Sequence, residues 1–411
     1  MNSDNKIIPN YRFPEFKDDG SWDVDVVKNL IKTITPPKKL NSNEYLKEGD
    51  YPIVDQSKSF YCGYSNDKEA LISPENDLIV FGDHTCITKY INHPFIQGAD
   101  GIKIFSTKKS VLPNYFYQYL QYNPVKQEEY KRHFSILKEK VISYPTNPVE
   151  QQKIAACLSS LDDVIAGHEE KLTALEEHKK GLMQNLFPQE GETQPKFRFP
   201  EFENDGDWVE KTIIDTADKN IKWSFTGGPF GSNLKSSDYT FKGIRIIQLQ
   251  NIGDGIFNDE YKIFTSLDKA DELLSCNIYS GDIILSKMGD PVGRACIMPG
   301  DNERYLMASD GIRLAVNEKE FSKYFIFSLI NSDTIRSKIE AKSTGSTRKR
   351  IGLDVLKQIP LLIPKTLNEQ QKIASVLSSV DELIVAQREK IASLKEHKKG
   401  LMQGLFPKIE S

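Results

Sequence analysis

Two stretches of the chain carry the same helical pattern of apolar positions. In the first, Ile154, Leu158, Leu161, Ile165, Leu172, Leu175, Leu182 and Leu186 follow one another at spacings built from fours and threes. In the second, Ile373, Leu377, Val380, Ile384, Ile391, Leu394, Leu401 and Leu405 do the same. A seam held over about four to five heptads predicts a long helix that pairs with another as a coiled coil. Both stretches open on capping signals. Asn147-Pro148-Val149-Glu150 supplies a cap, a proline at the first helical position and a glutamate three residues after the cap, and Thr366-Leu367-Asn368-Glu369 repeats that capping box. Phe187-Pro188 and Phe406-Pro407 mark the stops. A helix of about 40 residues, rising ~1.5 Å per residue, is roughly 60 Å long.

The seam is broken by polar residues at the same two places in each copy, His168 and Gln387 at one, Lys179 and Lys398 at the other. A polar residue in a seam costs stability and fixes register, and this reading of His168 is preferred to metal binding. Gly181 and Gly400 sit inside the pattern at a cost near 1 kcal/mol each, which points to close helix packing or a kink.

The two stretches are copies. Glu150-Gln151-Gln152-Lys153-Ile154-Ala155 and His178-Lys179-Lys180-Gly181-Leu182-Met183-Gln184 both recur 219 residues later (369 − 150 and 397 − 178), and 25 of the 39 positions from Glu150 to Pro188 are identical. A shorter repeat opens each half: Arg12-Phe13-Pro14-Glu15-Phe16 with Trp22 recurs 186 residues on as Arg198-Phe199-Pro200-Glu201-Phe202 with Trp208. Between these frames, Asp23–Lys140 and Val209–Ile359 look unlike each other. One frame around two different interiors suggests one task performed on two different targets. If a pseudo-two-fold axis relates the halves, the two helices run antiparallel.

The interiors read as mixed strand and helix. Gly243–Gln250, Asp282–Leu285 and Asp77–Phe81 are strand candidates, and the aromatic-rich Pro113–Leu120 and Lys323–Ile330 are helices or buried segments. With 38% apolar and 27% charged residues, the composition is that of a soluble globular protein. No apolar run approaches the ~20 residues of a membrane span, and Met1–Asn10 is polar without a secretory pattern, so a cytoplasmic location is expected. The five cysteines are scattered, which fits a reducing compartment. A net charge of −4 argues against a broadly basic DNA-binding surface, so any nucleic-acid contact must rest on local charge and on partners.

Motifs for chemistry are missing. Asn123-Pro124 and Asn147-Pro148 are each followed by valine rather than the Pro-Tyr or Pro-Phe of an adenine methyltransferase. There is no phosphate-binding Gly-x-x-x-x-Gly-Lys loop, and Gly227-Gly228-Pro229-Phe230-Gly231 lacks the lysine. His84-Thr85-Cys86 has no neighbours that complete a four-ligand metal set. The reading is a binding subunit with no catalytic residues and no metal.

These motifs, in this order, resemble the specificity subunits of Type I restriction–modification enzymes across essentially the whole chain. The carriers are the two Arg-Phe-Pro-Glu-Phe openings, the two Glu-Gln-Gln-Lys-Ile-Ala helix starts and the helix ends from His178 to Pro188 and His397 to Pro407. Gly281–Leu285, Gly345–Lys349 with Ile359-Pro360, Gly82–Thr85 and Gly98–Gly101 add weaker support.

The resemblance implies an α+β architecture: two mixed α/β target-recognition domains separated by an antiparallel two-helix coiled coil, in a pseudo-two-fold repeat. The expected boundaries are 1–146 for the first recognition domain, 147–187 for the central helix, 188–197 for a linker, 198–365 for the second recognition domain, 366–407 for the distal helix and 408–411 for a tail. It also implies that each domain reads one half of a bipartite double-stranded DNA site while the helices set the unread spacer. Two methylation subunits would dock on the repeated helices, through Gln151, Leu158, Leu175, His178 and Leu182 in one and Gln370, Leu377, Leu394, His397 and Leu401 in the other. Restriction and translocase subunits would join that core. S-adenosylmethionine, ATP and magnesium would belong to the partners, with no cofactor in this chain. The alternatives are a coiled-coil scaffold that does not bind DNA, a modification-only specificity subunit, and a self-contained modification enzyme.

Base edges are read by Arg, Lys, Asn and Gln, and phosphates are held by cations, hydroxyls and backbone amides. Ser343-Thr344-Gly345-Ser346-Thr347-Arg348-Lys349-Arg350 is the foremost DNA-contact candidate, with a solvated turn as its plain alternative. Lys131, Arg132 and His133 form a short cationic run that would otherwise be helix surface. His84 and Thr85 follow a predicted strand, and Gln56 and Lys58 sit in a polar loop. Gln248 and Gln250 share a strand face that is alternatively a polar stripe, with Asn251 beside them. Lys287 and Arg294 flank Gly289 and Gly293, where backbone can approach phosphate.

Overall fold

The computed structural model describes residues 6–99, 101–128, 132–346 and 348–408. Two compact units form, one from the residues up to Lys171 together with those from Arg388 onward, the other from Leu172 to Gln387. Each unit therefore takes the start of one long helix and the end of the other.

The long helices span Pro148–Leu186 and Leu367–Leu405. Their starts are capped as the sequence predicts: the Val149 amide donates to Asn147 Oδ1 at 3.0 Å and the Glu369 amide to Thr366 Oγ1 at 3.4 Å. The predicted reciprocal half of the capping box does not form, because Arg12 takes both oxygens of Glu150 and Arg198 both oxygens of Glu369. Within the first unit Asp162 meets Lys398 and Glu169 meets Lys395, so the two segments run antiparallel there. Within the second, Lys179 meets Asp381. The polar break at Lys179 and Lys398 thus supplies one cross-helix ion pair in each unit. The predicted close packing at Gly181 and Gly400 is absent: a Cβ at either would meet nothing within 4 Å. Intimate contact falls instead at Gly404, where a Cβ would sit 2.0 Å from the ring of Tyr11.

The two interiors, so different in sequence, share a strand plan. In the first unit one sheet is ordered Ile31–Ile34, Ile102–Thr107, Leu78–Gly82, Thr88–Ile91; in the second the order is Phe225–Gly227, Gly311–Leu314, Ile283–Ser286, Ala295–Ile297. A second sheet in each unit is built on one parallel pair, Tyr51–Val54 with Phe95–Gln97 and Ile244–Ile247 with Arg304–Met307. A short antiparallel pair joins the beginning of each interior to its end, Asp23–Val26 with Val141–Tyr144 and Val209–Thr212 with Pro360–Ile363.

The aromatic segments are helices, Pro113–Tyr122 and Lys323–Ile330, whose rings fill the cores. Tyr115, Phe116 and Tyr119 pack with Ile154, Leu158 and Phe406, and Phe325 packs with Ile373, Leu377 and Phe187. Burying such side chains stabilises by roughly 1.5–3 kcal/mol each, which ties each long-helix end to its recognition fold. Among the described residues no helix is long and apolar enough to cross a membrane.

Candidate nucleic-acid interface

Each interior gathers its polar loops at the same end of its parallel strand pair. In the second unit the chain leaves Ile247 into Gln248–Asn251 and leaves Met307 into Ala308–Gly311, with the Ala308 amide donating to the Ile247 carbonyl at 2.9 Å. In the first unit it leaves Val54 into Asp55–Phe60 and Gln97 into Gly98 and Ala99, with the Gly98 amide donating to the Val54 carbonyl at 2.9 Å.

In the second unit these loops enclose a recess lined by Phe230, Tyr239, Gln248, Gln250, Met288, Ser309, Asp310 and Arg348 among others. The fold thus brings together Gln248, Gln250 and Arg348, about a hundred residues apart in sequence. Gln248 donates to Tyr239 Oη at 3.1 Å, and Gln250 is exposed. The predicted strand Gly243–Gln250 ends at Ile247, and Leu249–Asn251 forms a 3-10 turn, so Gln248 and Gln250 do not share a strand face.

The loop from Ser343 to Arg350 folds back on itself through reciprocal backbone hydrogen bonds between Thr344 and Arg350. Gly345, at φ +102°, makes the turn that brings it against the Arg348 carbonyl. Lys349-Arg350 pairs with Met288-Gly289, anchoring the loop at the recess. Ser346 and Arg348 are exposed, and among the described residues Arg348 pairs with no carboxylate. Lys349 is held by Glu340 and Arg350 by Asp310 at 2.9 Å. Ser343 donates to the Ile339 carbonyl at 2.7 Å. Lys287 is half-buried, with its backbone bonded to Asp310 and Ile351. Arg294 lies beside Gly289, and its Nε is enclosed without a hydrogen-bond partner. Thr347 lies outside the described residues.

In the first unit His84 and Lys58 are exposed, while Thr85 donates to the Gln56 carbonyl at 2.9 Å. Gln56 is turned inward: its Oε1 is enclosed, and its amide lies so close to Gly101 that a Cβ there would be 2.6 Å from Nε2. Lys89, buried in the sheet, donates to the carbonyls of Asp55, Ser59 and Phe60 and so pins that loop. Desolvation holds its pKa below the usual lysine value. Arg132 is exposed, and Lys131 lies outside the described residues.

Six predicted contacts need correction. His133 is 1% exposed, with Nδ1 against the Asp83 carbonyl and Nε2 accepting from the Glu128 amide. Both ring nitrogens are engaged, so it is a structural histidine. Asn251 is fully buried, accepting from the Gln248 amide and donating to the carbonyls of Asn258 and Tyr261. Gln151 and Gln370 are internal latches rather than docking residues. Gln151 accepts from the Leu112 amide and donates to Ser110 and Pro145, and Gln370 accepts from Ser322 and donates to Glu320 and Pro364. Leu158 and Leu377, both 0% exposed, are likewise core. Leu175, Leu182, Leu394 and Leu401 are half-buried, and His178 and His397 are exposed on the helices.

Sequence reasoning missed Phe230, Tyr239, Ser309 and Asp310. One signal was available: Ser309-Asp310-Gly311-Ile312 echoes Ala99-Asp100-Gly101-Ile102 at matching places in the two halves. The helix ends also form a repeated feature. Lys179, Lys180, Met183 and Gln184 line a pocket in the second unit, and their copies Lys398, Lys399, Met402 and Gln403 line one in the first.

A family model described as the Type I restriction modification DNA specificity domain matches residues 22–177 and again residues 207–396. The chain belongs to that family. It is a DNA-specificity subunit of the Type I restriction–modification kind. It is 24% identical over 432 residues to the Type I restriction enzyme MjaVIII specificity subunit of Methanocaldococcus jannaschii, covering 98% of this chain and 94% of that one. The S subunit of a Type I restriction–modification system from M. genitalium has a similar fold, with a TM-score of 0.64 at 15% identity, covering 98% of this chain and all of the other. The specificity-subunit repeat coincides with the duplicated frame, and the unlike interiors are the parts that carry the polar loops and, in the second unit, the recess.

Proposed function

We propose that each unit reads one half of a bipartite double-stranded DNA site with the loops at the end of its parallel strand pair. The carrying observation is that two interiors unlike in sequence share one strand plan and place different polar side chains at the same end of it. Gln250 and Arg348 suit base edges in the second unit, and His84 with Lys58 suits the first. The exposed cations hold phosphate, and the paired helices set the unread spacer.

Methylation subunits dock on the repeated helix ends, one copy per half. The duplicated Lys-Lys-Gly-Leu-Met-Gln segment, with His178 and His397 exposed beside it, supports this reading. Restriction subunits join that core. The chain itself performs no chemistry, and S-adenosylmethionine, ATP and magnesium act on the partners. The cytoplasm, where chromosomal DNA is reached, is its place of action.

Methylation sequencing of cells carrying this gene tests the proposal. A bipartite adenine-methylated motif should appear, and exchanging residues 23–140 for another specificity subunit's interior should change one half-site only. A change in both half-sites would sink the modular reading. A methylome that ignores deletion of the interiors would favour a scaffold without a DNA role.

A further inference from the structure

Phe230 is 83% exposed at the mouth of the recess that also holds Gln248, Gln250 and Arg348. Its loop is firmly seated. The Gly228 amide donates to the Gly311 carbonyl at 3.0 Å, and the Asn233 amide donates to the Phe230 carbonyl at 2.8 Å. Gly228 lies so tightly on the next turn that a Cβ there would be 1.8 Å from the Ala308 oxygen. A large ring is therefore held out in water by a braced turn, beside hydrogen-bonding groups and an arginine that pairs with no carboxylate among the described residues. An isolated exposed apolar side chain is ordinary; one braced against the base-reading loops has a ready partner in the apolar faces of stacked bases.

We infer that Phe230 is an apolar wedge that enters the duplex between stacked bases of the half-site read by the second unit. This rests on the DNA-reading proposal above. Wedges of this kind unstack one base step and kink the helix, exchanging stacking between bases for stacking on the ring. The neighbouring Gln250 and Arg348 hold the flanking base edges and backbone while the step opens. Among the described residues the first unit has no equivalent. Its loop ring, Phe60, packs edge-on against Tyr61 at 4.9 Å, and Tyr61 is hydrogen-bonded to His93 Nε2 at 2.6 Å. That cluster keeps its rings on each other, so unstacking is confined to one half-site.

The test uses the full chain and duplexes of the motif found by methylation sequencing, with 2-aminopurine placed in turn at each position of both half-sites. Binding should raise the fluorescence at one step of the second unit's half-site and nowhere in the other. Phe230→Ala should abolish that rise and weaken binding roughly 5- to 150-fold, while Phe230→Trp should keep both. Binding without a rise, a rise that survives in Phe230→Ala, or equal rises in both half-sites would overturn the wedge and leave the reading role standing. Failure of the wild-type chain to bind any duplex would overturn the reading role and the wedge with it.

Discussion

Arg12 grips Glu150 through two parallel hydrogen bonds of 2.8 Å, and the side chains of the pair are only 6% and 1% exposed. Arg198 holds Glu369 with the same geometry, and there Trp208 Nε1 adds a third bond to the carboxylate at 3.1 Å. The pair explains why the two repeated motifs travel together: the arginine of the opening motif neutralises a glutamate that the helix start buries. The hydrogen bonds that Arg12 donates to Glu150 raise its pKa, which keeps the guanidinium charged.

Arg12→Ala should destabilise the first unit by about 3–5 kcal/mol, because it leaves Glu150 buried without its partner. Urea unfolding followed by Trp22 fluorescence reads this unit. Replacing both Arg12 and Glu150 by apolar residues of similar volume should recover much of the loss. A single-variant loss below about 1 kcal/mol would mean that water reaches Glu150.

Asp162 accepts from Lys398 at 2.5 and 2.6 Å and from Gln118 at 3.0 Å, and Asp381 accepts from Lys179 at 2.7 Å and from Tyr324 Oη. The two aspartates are copies of one another, yet Asp381→Ala should cost more. Asp162 is partly exposed, so its ion pair contributes about 1 kcal/mol or less. Without Asp162 the buried Gln118 amide still donates to Ser159 Oγ at 3.3 Å, whereas removing Asp381 strands a largely desolvated tyrosine hydroxyl, at about 1–3 kcal/mol. Desolvation, with the bond to Asp381, pushes the Tyr324 pKa well above its ordinary value. Thermal melts of the two variants check the order.

Arg348→Ala should leave stability unchanged and weaken DNA binding. The loss should be about 1–3 kcal/mol with relaxed specificity if it meets a base, or a salt slope lower by about one if it meets phosphate. Asn251→Ala should do the opposite, costing about 1–3 kcal/mol of stability while leaving sequence preference intact. Binding titrations at several salt concentrations, beside urea melts, separate the two. An unchanged affinity and slope would remove Arg348 from the interface.

Lys89→Met should release the loop from Asp55 to Phe60, since three carbonyls lose a shared donor. Hydrogen exchange in that loop should accelerate, and methylation directed by the first half-site should weaken while the second half-site keeps its specificity. Unchanged exchange would show that the loop holds its shape without Lys89.

The sequence by itself determined the long helices, their caps, their stops and the two-fold repeat. Those signals are local: apolar spacing, a cap next to its helix and a motif beside its copy need no knowledge of distant residues. It also marked Arg348, Gln248 and Gln250 as polar candidates, and the fold sets them around one recess. Tertiary structure decided which candidates face solvent. His133 and Asn251 look like base readers by residue type, but each is enclosed by partners from neighbouring loops, which no local pattern reports. Gln151 and Gln370 sit in the repeated helix and look like docking residues until the backbone they latch, tens of residues away, is brought to them. The shared strand plan of the interiors was equally hidden. Strand pairing depends on backbone hydrogen bonds and on which face is buried, and unlike side chains satisfy both, so two sequences that do not align reach one topology.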